Sequence, residues 1–359
     1  MKPTAKLHDI GQSLWLDNIT RTMLADGTLR GYIDELSVTG LTSNPTIFDK
    51  AISGGEAYDE QIIELNQNGH EPEEVFFELA LADLHDATDL FRGVHERTAG
   101  VDGFCSLEVS PKLADDTQAT IEQAAQLHAK AERDNLYVKI PGTPAGRPAI
   151  EESIFAGIPI NVTLLFSREQ YLAAADAYMK GIERRIEAGL SPDVPSVASI
   201  FMSRWDVAVT GEVPDELHNR LGLAIGFRAY RAYREVLDSQ RVQRLMNEGA
   251  RPQRLLWAST GTKDPEASDV LYIEGFASPF TVNTMPEPTL HAFADHGEVG
   301  DLVPADGGNC EEVLAEFAKA GIDVDALAER LQEEGKEAFV KSWNDMLDSI
   351  ESKRGALTG

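Results

Sequence analysis

NLYVKIPG (residues 135–142) and IPINVTLLF (residues 158–166) are apolar runs of strand length, each followed at once by a small polar residue, with a helix-compatible stretch between them. Neither run has a solvated face, which is the pattern of a strand covered on both sides. Working outward, six further runs of the same kind recur along the chain. SLWLDNI starts at Ser13, SVTGLTSNP at Ser37 and GFCSLEVSP at Gly103. VPSVASIFMSR starts at Val194, RLLWASTGT at Arg254 and PFTVNTMP at Pro279. For the eighth place, VLYIEGF from Val270 competes with PFTVNTMP.

Eight buried strands alternating with helices argue for a closed parallel sheet wrapped in helices, an α/β fold of the (β/α)8 TIM-barrel type. The intervening segments carry physical start and stop signals. Ser167 and Gln170 form a capping box ahead of Tyr171, Ala174, Tyr178 and Ile182, and Gly189 supplies the stop. Asp115 or Asp116 caps a second helix, with Ile121, Ala124, Leu127 and Ala131 on one face. Two regions exceed the minimal repeat: residues 46–102, with at least two helices, and a helical tail over residues 307–353. No linker, low-complexity tract or repeat marks a second domain, so residues 1–359 are expected to form a single barrel domain.

With 42% apolar residues the chain has material for a large core. Its 32 Lys+Arg against 60 Asp+Glu, a net of −28, repel nucleic acid and anionic membranes, so neither is expected as a partner. A phosphorylated ligand would have to be held by a few local cations and backbone amides, since screening confines the acidic field to about 8 Å. Cys105 and Cys310 have no paired spacing and read as free thiols. MKPTAKLHDIGQSLWLD lacks the apolar run of a signal peptide, and a cytoplasmic location is expected.

Alternation places single side chains. In a barrel, inward positions at the C-terminal ends of strands carry the chemistry. Tyr137 and Lys139 point one way and Val138 and Ile140 the other, which puts an ammonium near the mouth of an apolar cylinder. The same rule turns Asp17, Glu108, Asn161 and Thr163 inward, with Asn44 and Ser199 completing a ring suited to a hydroxyl-rich ligand. Each has a plainer reading: Lys139 reaching solvent, Glu108 in a structural ion pair with Lys139, Asp17 capping a loop, Asn161 and Thr163 satisfying the barrel's own hydrogen bonds. Protonation separates them. A lysine nucleophile must lose its proton near neutrality, a shift of roughly 3 units from about 10.4. Desolvation supplies that only if Glu108 is not a tight counter-ion, so Glu108 is expected to act through water.

TSNPTIF, SLEVSP, YVKIPGT, INVTLLFS, IFMSRWD, WASTGTKDP and TVNTMP, in this order along most of the chain, resemble the transaldolase family. The match is most specific at Lys139 within YVKIPGT, followed by INVTLLF about twenty residues on. The WASTGTKDP segment resembles the longer, actinobacterial-like forms. The resemblance implies a class I aldolase-like barrel in which Lys139 forms a Schiff base with a ketose phosphate and Asp17 takes the C4 hydroxyl proton. Glu108 and Thr163 would hold a proton-shuttling water. Asn44, Asn161 and Ser199 would bind the ketol hydroxyls, and Arg204 would grip the phosphate. Related aldolases that release free dihydroxyacetone have Tyr where this chain has Phe201, which favours transfer over release. A second phosphate-binding Arg is missing after the seventh strand. Ser259 and the Gly261 backbone, with Lys263, are candidates to replace it, the plainer reading of Lys263 being a solvated loop lysine.

The implied activity is a transferase moving a dihydroxyacetone unit from sedoheptulose 7-phosphate or fructose 6-phosphate to glyceraldehyde 3-phosphate or erythrose 4-phosphate in the non-oxidative pentose phosphate pathway. No cofactor and no metal are expected, since the eight histidines avoid the strand ends. The chain would work as a monomer or homodimer on sugar phosphates. Two alternatives stay open: a fructose 6-phosphate aldolase with the same covalent chemistry, and a non-catalytic sugar-phosphate-binding barrel.

Overall fold

A computed structural model describes residues 1–358 of the chain. Eight strands run parallel: β1 (Ser13–Asp17), β2 (Val38–Thr42), β3 (Cys105–Glu108), β4 (Leu136–Pro141), β5 (Ile160–Leu165), β6 (Ser196–Phe201), β7 (Arg254–Ala258) and β8 (Val282–Met285). They pair in the order β2-β1-β8-β7-β6-β5-β4-β3. The remaining seam is bridged by backbone hydrogen bonds from Leu41 N to Phe104 O and from Gly103 N to Thr39 O, both 3.0 Å. The ring is thereby nearly closed as a (β/α)8 TIM barrel. Gly40 sits at this seam because a Cβ there would lie 2.6 Å from both Phe104 O and Trp15 Nε1.

The eighth strand is the PFTVNTMP run. Of the competing VLYIEGF segment, Leu271–Gly275 forms a short helix instead. The capping box is present as read, with Gln170 N donating to Ser167 Oγ at 3.1 Å and Ser167 N to Gln170 Oε1 at 3.3 Å. Of the two candidate caps, Asp116 is the one used, accepting from Ala119 N at 3.0 Å. The insertion between β2 and β3 holds three helices, Pro45–Ser53, Asp59–Gln67 and Pro72–Arg97. The tail holds Cys310–Lys319 and the 35-residue Val324–Thr358. Among the described residues no helix is long and apolar enough to cross a membrane, and both cysteines are free and buried.

Inward side chains stack in layers because strand side chains repeat every second residue. At the N-terminal end, Ser13 Oγ donates to Asp102, Trp15 Nε1 donates to Asp102 Oδ1 (2.8 Å), and Arg254 Nη2 donates to Ser13 Oγ (2.6 Å). Above this polar plug lie Trp15, Phe104 and Tyr137, the last two stacked at 4.2 Å. Two residues further along β1 and β4 come Asp17 and Lys139, and Glu108, four residues beyond Phe104, is level with Lys139 on β3. The aromatic floor seals them from the other end of the barrel and lowers the local dielectric around them.

Candidate active site

At the C-terminal mouth a cavity of about 350 Å³ is lined by side chains from most of the barrel strands and the loops that follow them. Nine of the eleven residues singled out from sequence border it: Asp17, Asn44, Lys139, Thr163, Ser199, Phe201, Arg204, Ser259 and Lys263. The other two, Glu108 and Asn161, are buried beside it, and the ladder pairs both with Lys139 across β3–β4 and β4–β5. The wall carries four cationic side chains, Lys50, Lys139, Arg204 and Lys263, against the single carboxylate of Asp17. A chain of net charge −28 thus builds one locally positive pocket, as capture of a phosphate by local groups requires.

Lys139 is 5% exposed, and its Nζ donates to Ser43 O at 3.1 Å. Glu108 Oε2 lies 3.1 Å from the same nitrogen. This corrects the expectation that Glu108 is not a tight counter-ion of Lys139: the two side chains are in direct contact. The reason is the ladder, since Glu108 and Lys139 are register partners with parallel inward side chains. Among the described residues no group other than Lys139 approaches the Glu108 oxygens as a hydrogen-bond donor, and Thr163 Oγ1 has no hydrogen-bond partner. Burial pushes the Glu108 carboxyl up from its ordinary value, and the Lys139 charge only partly offsets it.

Asp17 is held by Thr42, whose Oγ1 donates to Oδ1 at 2.8 Å and also lies 2.7 Å from Thr284 Oγ1. Burial raises its carboxyl too, opposed by Lys139, the Thr42 hydrogen bond and Lys263. Asn44 serves twice: its Oδ1 accepts from Ile47 N at 3.1 Å as the cap of helix Pro45–Ser53, while the residue borders the cavity. Ser199 Oγ donates to Asn161 Oδ1 at 2.7 Å, and Asn161 Nδ2 donates to Ser106 Oγ at 3.2 Å, fixing the amide's orientation.

Arg204 lies in the first turn of helix Ser203–Ala208 and is flanked by the rings of Phe201 and Phe339, with Cζ 5.3 and 5.9 Å from their centroids. Ser259 follows β7 with φ 54°, and its Oγ is 2.9 Å from Ser203 Oγ. Leu164 takes φ 57°, an uncommon conformation for a bulky residue, where the β5–β6 register shifts. The strict alternation assumed for INVTLLF therefore fails at its end.

Sequence reading missed Thr42, Thr46, Lys50, Thr284 and Phe339, all on the cavity wall. Thr42 and Thr284 were accessible from strand parity, as inward hydroxyls on β2 and β8. Phe339 was not, because it lies on the C-terminal helix, more than fifty residues beyond the last strand. Among the described residues no three of His, Cys, Asp and Glu converge as a metal-binding set.

A family model described as Transaldolase/Fructose-6-phosphate aldolase matches residues 14–350. The transaldolase of Parafrankia sp. (strain EAN1pec) is 43% identical over 99% of both chains. That of Mycolicibacterium paratuberculosis is 43% identical over 99% of this chain and 98% of its own. The transaldolase of Trichodesmium erythraeum is 38% identical over 98% of each. A match running from the first barrel strand into the last helix, on a barrel whose mouth gathers a buried lysine, two carboxyls and a cationic wall, places this chain in the transaldolase family.

Proposed function

We propose that the chain transfers a dihydroxyacetone unit from a ketose phosphate, fructose 6-phosphate or sedoheptulose 7-phosphate, to an aldose phosphate through a Schiff base on Lys139. The observation that carries this reading is the Lys139–Glu108 contact at 3.1 Å inside a sealed barrel whose open end is positively charged. An ammonium beside a carboxyl raised by burial can pass its proton across that contact, which yields an amine and a neutral acid with no net change in buried charge. Nucleophile generation then runs through the pair.

The amine attacks C2 of the open-chain ketose to give a carbinolamine. Protonation of its hydroxyl by neutral Glu108, with Thr163 completing the hydrogen bonding, releases water and forms the iminium. Those three otherwise unpartnered buried oxygens fit that task. Asp17, oriented by Thr42, takes the C4 hydroxyl proton, the C3–C4 bond breaks, and its electron pair passes into the iminium. The aldose phosphate leaves and an enamine remains on Lys139. An incoming aldose phosphate reverses these steps. Asn44, Asn161 and Ser199 hold the ketol hydroxyls, and Arg204, Ser259 and Lys263 receive the phosphate.

Release of free dihydroxyacetone requires a proton on the enamine carbon, and Phe201 brings no hydroxyl to the cavity wall, so transfer is favoured over release. The whole chain would act as one domain, cytoplasmic, as a monomer or homodimer, with no nucleic-acid partner. Borohydride trapping with fructose 6-phosphate, followed by peptide mapping, tests the reading. A dihydroxyacetone-sized adduct is expected on Lys139, and turnover is expected to need an aldose acceptor. Labelling of another lysine removes the mechanism; acceptor-independent release of dihydroxyacetone turns the assignment to an aldolase.

A further inference from the structure

The helix Val324–Thr358 crosses the barrel mouth and presents Gln332, Gly335 and Phe339 on one face, three and four residues apart. Gln332 Nε2 donates to Leu164 O at 2.8 Å, which pins the helix to the irregular end of β5. Gly335 is buried, and a Cβ placed there would lie 3.0 Å from Leu164 Cδ2 and 3.1 Å from Arg204 Nη1. One turn on, the Phe339 ring faces the Arg204 guanidinium from the cavity wall. Glycine is a poor residue for the middle of a helix, so its use here calls for a packing reason, and the close approach to Arg204 and Leu164 supplies one.

Among the described residues Arg204 has no carboxylate within ion-pair distance, whereas most other arginines of this acidic chain do, for example Arg21, Arg184 and Arg241. A carboxylate would hold the guanidinium in place but would also neutralise it. Two aromatic faces and a glycine notch fix its position and leave the charge available to a phosphate. We infer that Gly335 and Phe339 are positioning residues for Arg204, and that the C-terminal helix, through them, sets the preference for phosphorylated over unphosphorylated acceptors. The inference rests on the reading of Arg204 as a phosphate-binding group.

Steady-state kinetics at saturating fructose 6-phosphate, with erythrose 4-phosphate or erythrose as acceptor, test it, together with competitive inhibition by inorganic phosphate. Gly335→Ala and Phe339→Leu should each raise the KM for erythrose 4-phosphate and the phosphate inhibition constant by about tenfold, a 1.4 kcal/mol effect, with kcat altered less than about threefold. Phe339→Tyr, which keeps the ring face, should restore most of the loss. Arg204→Ala should itself collapse the preference, and adding Gly335→Ala to it should cause no further fall. If Arg204→Ala leaves the preference intact, the phosphate role of Arg204 is wrong. If Arg204→Ala abolishes it but Gly335→Ala and Phe339→Leu slow both acceptors equally, or add to Arg204→Ala, the positioning role is wrong while the Arg204 reading stands.

Discussion

Replacing Lys139 by Met removes the proposed nucleophile while keeping an unbranched side chain of similar length, and it leaves Glu108 buried without its counter-ion. At 3.1 Å and an effective dielectric near 20, the attraction lost is about 5 kcal/mol. Breaking one side of a buried pair costs about 3 to 5 kcal/mol in practice. The variant escapes part of that cost by protonating Glu108, and this makes the loss depend on pH. Burial already raises the carboxyl, and deleting Lys139 removes the group that lowers it. Folded Glu108 then keeps a proton that the unfolded chain sheds above about pH 4.3. With the folded state binding more protons, stability must fall as pH rises from that value to the raised folded value, by up to about 1.4 kcal/mol per pH unit, and then level off. Urea unfolding of parent and variant at pH 5, 6, 7 and 8 should therefore show a gap that is small at pH 5 and widens toward about 3 to 5 kcal/mol. Lys139→Met with Glu108→Gln should lose the slope, and neither variant should turn over substrate. A gap constant across this range, or a slope that survives in the double variant, would refute the argument that Glu108 and Lys139 form one buried proton-sharing unit.

Asp17→Asn keeps an oxygen for the Thr42 hydroxyl but removes the base, so kcat should drop about 10²- to 10⁴-fold while borohydride still labels Lys139; loss of labelling would place Asp17 before the Schiff base. Lys263→Ala should raise the KM for sugar phosphates about tenfold without abolishing labelling at saturating ketose, and an unchanged KM would return Lys263 to the solvated loop. Gly40→Ala forces a Cβ against Phe104 O and Trp15 Nε1 at the β2–β3 seam and should lower unfolding stability by about 1 to 3 kcal/mol, measured by urea titration; no loss would mean that the seam relaxes.

By itself the sequence determined the barrel and which side chains of a strand share its interior face. Strand period fixes parity, so once VKI was read as strand, Lys139 had to share a side with Tyr137, and Asp17 with Trp15; the covered faces of all eight runs then demanded closure. Only the tertiary structure decided the distances between strands. That Glu108 touches Lys139 follows from the β3–β4 register, which no property of either run taken alone specifies. The left-handed Leu164, and with it the anchoring of Gln332, arises where packing overrides the alternation. Phe339 and Gly335 reach Arg204 because a helix remote in sequence folds back across the mouth, and an amphipathic stripe reveals that a helix has a buried face but not which neighbour it meets.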